Sequence, residues 1–218
     1  ENIDILSLCT HPDSHEKIVK IAVKNGVRAI FCEKPISNSL GSAKEIINQC
    51  NSHNVRLAVN HFRRWDEYFI NLKNDISNGV FGKIQHVNFY YTRGIANTGS
   101  HLFDLLRLLF GEVISVNSIY SIDEIENDPT LSSTLVMDNE LICNLIGLDG
   151  RYYRIFDLEI FGSTSKIIID TSKIIRYFTS CPSKRSSEFN ELYETNYPND
   201  KKYDKQIFLN SISNIIDD

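Results

Sequence analysis

Val27-Arg28-Ala29-Ile30-Phe31-Cys32-Glu33-Lys34-Pro35 is a short apolar run that stops abruptly at an acid, a base and a proline. A run of this length with Ile, Val and Phe, bounded by turn signals, reads as a strand buried in a parallel sheet. In an open α/β sheet, ligands lie outside the carboxyl ends of the strands. Lys34 therefore stands where a buried strand opens into a crevice. Pro35 fixes its own φ and steers Lys34 away from helical conformation, so the lysine is held extended.

Working outward, residues 3–9 form another nearly continuous apolar run and read as a buried parallel strand. Residues 10–15 read as a turn, with Asp13 or Ser14 capping a helix over about 15–25 and Gly26 at its C′ position. Downstream of Pro35, Ser39 caps a second helix whose Ala43, Ile46, Ile47 and Cys50 share a face. Residues 55–59 give a third strand. This β-α-β-α-β run is half of a doubly wound sheet.

The character changes after Asn60. A helix is expected over about 66–77, a strand over 83–92, and an apolar helix closed by Gly111. That helix starts either at a Ser100 cap or nearer Asn97. Strands are expected over 113–120, 131–137, 140–148, 153–161, 165–170 and 173–179, with hairpin turns at Asp138-Asn139 and Gly162-Ser163. Residues 181–203 read as a polar loop or linker, and 204–216 as a last amphipathic helix. The class is α/β: the second half of a Rossmann domain over 1–62, then an α/β domain over 63–218 with a large, mostly antiparallel open sheet.

Bulk properties narrow the function. The chain has 218 residues, 42% hydrophobic and 23% charged, with a net charge of −5. That balance gives no reason to expect nucleic acid or an anionic membrane as partner. No apolar run reaches the roughly 18–20 residues of a membrane span, and no signal peptide is visible. Cys9, Cys32, Cys50, Cys143 and Cys181 form no CxxC pair, so neither zinc site nor disulfide framework is expected. Cys9 and Cys32 read as buried thiols, and the location as cytoplasmic.

Several groups suggest chemistry, each beside a plainer alternative. Lys34 is either an active-site acid or a lysine in a polar turn. His101 lies four residues after Asn97 and three before Asp104, so on a helix the three lie on or close to one face. His101 either takes a proton from a hydroxyl or packs as a core histidine. Asp104 and Arg107 read as structural, bonded to backbone or to each other. His11 and His15 lack the carboxylates of a metal site; a helix-start or cofactor-edge role fits them better. Arg63 and Arg64, next to Trp65, either clamp a phosphate or carboxylate or form a packing hinge. Tyr152 and Tyr153, on a strand, either reach a sugar or pack.

Four pieces in order resemble one family, the Gfo/Idh/MocA oxidoreductases. They are Cys9-Thr10 with His15, Glu33-Lys34-Pro35, Val59-Asn60-His61-Phe62-Arg63-Arg64-Trp65, and Gly99-Ser100-His101-Leu102-Phe103-Asp104. The resemblance implies an NAD- or NADP-dependent dehydrogenase that moves a hydride between a sugar or nucleotide-sugar hydroxyl or carbonyl and nicotinamide. It implies that Lys34 and His101 touch the reacting hydroxyl, with His101 taking the proton and Asn97 beside it. Thr10, His15, Glu33 and Lys34 would line the cofactor, and the same implied set takes in His11, Pro35, Asn60, Arg63 and Arg64. No metal is implied. Similar proteins pair through the C-terminal sheet into dimers or tetramers.

Asn97 stands where the family commonly has Asp, and His11 where it commonly has Pro. No GxGxxG occurs, and the chain opens at Glu1 straight into a strand. It therefore reads as the later portion of something longer, expected to bind nicotinamide cofactor weakly by itself. The alternative is a non-catalytic binding or assembly module derived from such an enzyme.

Overall fold

The computed structural model describes residues 3–170 and 175–197. These fall into two compact units, divided between Trp65 and Asp66.

In the first unit, β1 (Ile5–Leu8), α1 (Pro12–Lys24), β2 (Ala29–Cys32), α2 (Leu40–Ser52) and β3 (Arg56–Val59) alternate. The three strands are parallel in the order β1-β2-β3. β2 is central and every one of its residues is buried, as its unbroken apolar run requires. The helices supply the rest of the core through Val19, Ala22 and Val23 of α1 and Ile46 and Cys50 of α2. Ser39 caps α2 by accepting from the Ser42 N–H. Gly26, at φ +80°, follows α1, a conformation that costs glycine nothing.

The second unit begins with α3 (Glu67–Ser77), β4 (Ile84–Tyr91), a π-helical turn over Gly94–Gly99 and α4 (Ser100–Phe110). The remaining strands follow: β5 (Val113–Ile122), β6 (Thr130–Met137), β7 (Ile142–Gly147), β8 (Phe156–Gly162), β9 (Ser165–Ile169), β10 (Ile175–Pro182) and β11 (Asn190–Thr195). They form one eight-stranded sheet in the order β11-β10-β9-β8-β4-β7-β6-β5. The β4–β7 pair is parallel and the other pairs are antiparallel. Leu102, Leu105, Leu106 and Leu109 of α4 and Phe69 and Leu72 of α3 pack into one core with Val87, Phe89 and Tyr91 of β4. One sheet face is thus covered by helices, as apolar alternation on β4 demands.

Several expectations are corrected. β1 is parallel but only partly buried: Leu8 is in the core while Ile5 is 47% exposed, because among the described residues β1 is an edge strand paired with β2 alone. Cys9 lies just past that edge and is exposed. α1 begins at Pro12, inside the expected turn, with His11 as its cap residue and no side-chain cap bond. Proline suits the first helical position, where its missing N–H costs nothing. Ser100 is not a cap, because the π-helical turn runs directly into α4. Arg107 pairs in a fork with Glu112 at 2.7 Å, a partner the sequence reading did not foresee. Tyr152 and Tyr153 lie in the turn before β8 rather than on a strand. The polar stretch 181–203 contains a strand, β11. The expected helix over 204–216 lies outside the described residues.

Candidate functional site

In the first unit the carboxyl ends of three parallel strands deliver Thr10, Glu33-Lys34 and Asn60 to one edge of the sheet. The ladder runs to that edge: the Glu33 N–H donates to Leu8 O at 2.9 Å and the Asn60 N–H to Cys32 O at 2.7 Å. Asn60 Nδ2 then donates to one oxygen of the Glu33 carboxylate at 2.6 Å. The Lys34 N–H donates to the other at 3.2 Å. Glu33 is therefore a brace that ties β3 to the backbone of Lys34. The Lys34–Pro35 peptide is cis. Lys34 itself is half-buried.

His15 is fully buried. Its Nε2 faces Thr10 O at 2.9 Å, and its Nδ1 faces Ile36 O at 3.1 Å and Cys32 Sγ at 3.4 Å. The imidazole thus joins the turn after β1 to the loop after β2, the two segments that carry Thr10 and Lys34. Asn38 makes a second tie by donating to the Asp13 carboxylate. His11 is exposed and sits 3.0 Å from Asp13. Burial pushes the Cys32 thiol up to about 12, with the Glu33 carboxylate adding to the effect. Cys32 is a packed thiol rather than a nucleophile. Arg63 and Arg64 lie in a short 3-10 turn over Phe62–Arg64, with the Arg63 guanidinium 4.5 Å above the Phe62 ring.

In the second unit Asn97 and His101 lie on one continuous helical path, Asn97 in the π-helical turn and His101 in the first turn of α4. Asn97 is exposed and His101 half-buried. The orphan N–H groups that begin a helix need acceptors, and here the segment over 124–130 supplies them. The Arg93 N–H donates to the Glu124 carboxylate. Gly94 N donates to Thr130 Oγ1 at 2.7 Å and Ile95 N to Pro129 O at 2.9 Å. Ala96 N and Asn97 N donate to the two oxygens of Asp128, at 2.7 and 3.0 Å. A Cβ at Gly94 would strike that carboxylate. Sequence reading missed Glu124 and Asp128, because about thirty residues separate them from the backbone they hold. The Arg93-Gly94 step is the one local signal, since both residues have positive φ.

Comparison with known proteins adds to this geometry. Residues 1–61 match the model of the family described as "Oxidoreductase family, NAD-binding Rossmann fold". The chain is 30% identical over 135 residues to an uncharacterized oxidoreductase of Schizosaccharomyces pombe, covering 54% of this chain and 36% of that protein. It is 26% identical over 192 residues to myo-inositol 2-dehydrogenase of Thermotoga maritima, covering 78% of this chain and 57% of that protein. The chain thus spans between about a third and somewhat over half of these curated relatives. Its fold matches that of the WlbA dehydrogenase from Bordetella pertussis, solved with NADH and UDP-GlcNAcA. That match has a TM-score of 0.74 at 20% identity and covers 98% of this chain and 69% of that one.

Proposed function

We propose, for a chain whose residues 1–61 match the model of the Gfo/Idh/MocA oxidoreductase family, that the protein it represents oxidises or reduces a sugar or nucleotide sugar with NAD or NADP. The observation that carries the reading is the braced strand end: Lys34 held between the Glu33–Asn60 bond and the loop tied down by His15. Polar groups converging on the carboxyl edge of parallel strands are the usual setting for a ligand in such sheets. Thr10 and the Glu33–Pro35 turn present backbone and side-chain polar groups there, and they fit a nicotinamide ring and its ribose. His11, His15, Asn60, Arg63 and Arg64 belong to the same proposal, His15 by holding the loops and the others by contact. The cofactor, when bound, supplies the hydride acceptor or donor.

The chain's own residues orient the hydroxyl and move its proton. Lys34 donates a hydrogen bond to the substrate oxygen, and His101 accepts the proton as the carbon is oxidised. Asn97 orients the same oxygen without adding charge. The relatives named an inositol dehydrogenase and a dehydrogenase solved with a nucleotide sugar support this substrate class. The sheet supports self-association: β5 leaves Ile114, Val116, Ile119 and Tyr120 exposed at its edge, an apolar strip of the kind that marks interfaces.

Turnover of nicotinamide cofactor should be followed over a panel of cyclitols, sugars and nucleotide sugars, with the association state read by light scattering. Lys34→Ala and His101→Ala should each lower kcat by about 10²–10⁴-fold while the circular dichroism spectrum is kept. Near-normal turnover in either variant would sink the catalytic assignment. Absence of turnover over the whole panel would favour the binding or assembly module instead. A monodisperse monomer would remove the pairing.

A further inference from the structure

Beside Asn97 the second unit has a cavity of about 390 Å³, bounded by Thr92, Arg93, Asn97, Thr98 and Arg154 among others. The volume suits a small ligand or one substituent of a larger one. Its lining residues include two arginines and no Asp or Glu. Three carboxylates of the neighbouring segments have partners of their own. Glu124 accepts from the N–H groups of Arg93 and Gly150, Asp128 from those of Ala96 and Asn97, and Asp149 from the Arg151 side chain. The lining itself thus carries arginine and no acidic residue, while the charges of Glu124 and Asp128 are turned to the backbone N–H groups behind it.

The backbone that carries the two arginines is also tied. The Arg93 backbone sits at φ 70°, a conformation few non-glycine residues adopt unless their surroundings enforce it. Here the enforcement is visible: the Arg93 N–H is tied to Glu124, and its carbonyl accepts from Thr98 Oγ1 at 3.3 Å. The Ile155 N–H donates to buried Thr92 Oγ1 at 3.3 Å. That bond fixes the residue before Arg93 against the residue after Arg154. Two guanidinium groups launched from tied backbones suit a planar or tetrahedral oxyanion, which each can grip in a fork.

We propose that this cavity is an anion subsite, and that the sugar the protein acts on carries an acidic group, a carboxylate or a phosphate, gripped by Arg93 and Arg154 while Asn97 faces the reacting end. The identity of the ligand as a sugar rests on the oxidoreductase reading; the anion preference of the cavity does not. The test is calorimetric titration of the protein with glucuronate and galacturonate, with the matching neutral hexoses, and with glucose 6-phosphate.

At least one acidic ligand should bind about ten- to a hundredfold more tightly than its neutral counterpart, as charged hydrogen bonds of this kind allow. The preference should weaken as salt is raised. Arg154→Gln, at an exposed position, should abolish it without unfolding, and Arg154→Lys should restore only part. The uronates and the phosphate separate the two sources of charge. Equal affinity for acidic and neutral sugars, binding of no acidic sugar, or a preference unchanged in both Arg93→Gln and Arg154→Gln overturns the proposal. So does a loss of NADH or NADPH affinity in those variants with sugar preference intact, since the cavity would then hold cofactor phosphate. Anion binding without any hydride transfer would defeat the oxidoreductase reading alone.

Discussion

Single side chains in this protein divide into those held still and those left open to solvent. Burial pushes the Cys32 and Cys143 thiols up to about 12, and the Tyr91 hydroxyl likewise to about 12. Cys9 is exposed. Thiolate is the reactive form, so alkylation at about pH 8 should label Cys9 and leave Cys32 and Cys143 unlabelled until urea is added. Peptide mass spectrometry reads this directly; early labelling of Cys32 would contradict its packing. The same groups set a pH dependence. Their folded pKa values lie above the ordinary thiol 9.0 and tyrosine 10.0, so the unfolded chain loses those protons first. Stability should be unaffected by them below about 9 and should fall as pH rises from there toward about 12. Urea melts across that interval test the sign. Lys34 was legible as a strand-end lysine because an apolar run, a charge and a proline are local facts. The role of His15 was not, because its partners, Thr10 O and Ile36 O, are backbone atoms that any residue could have supplied.

At the scale of elements, the π-helical turn and α4 depend on acceptors from elsewhere in the chain. Asp128 takes two of the orphan N–H groups, including that of Asn97. Replacing a cap carboxylate by alanine costs about 0.5–2 kcal/mol. Asp128→Ala should therefore lower the melting temperature by a few degrees and, by releasing Asn97, lower kcat more than it changes KM. Asp128→Asn, which keeps one acceptor oxygen, should fall between the two. Full activity in Asp128→Ala would show that the turn keeps its shape unaided. The helices themselves were readable, since Ser39, Gly26 and Gly111 punctuate them as capping rules require. β11 was not. Its residues lie in a polar stretch, and what places it is pairing with β10, through the Arg176–Glu194 fork and the Thr179–Thr195 contact. Cross-strand pairs of that kind leave no periodic trace in the sequence.

For the molecule as a whole, the sequence foretold two architectures in succession, a parallel sheet and then a mostly antiparallel one, and the structure has both. It did not foretell the order of strands in the second sheet, because that order is decided by where β4 inserts. β4 comes first in the chain yet lies in the middle, parallel to β7 and antiparallel to β8. On one side of it stands the hairpin series β5-β6-β7, and on the other the series β8-β9-β10-β11. The sheet therefore has a seam: two self-contained zips of neighbouring strands, closed by a strand made before either. Their only covalent link is the stretch between β7 and β8, where Tyr152 and Tyr153 are 80% and 56% exposed. A single chymotryptic nick there should leave two pieces that travel together on a sizing column and part only in denaturant. If the pieces separated in native buffer, β4 would not be the strand that closes the sheet. Because β4 cannot be completed until both series have formed, the connection at 149–155 is also where this sheet would tolerate being cut, re-joined or given new ends.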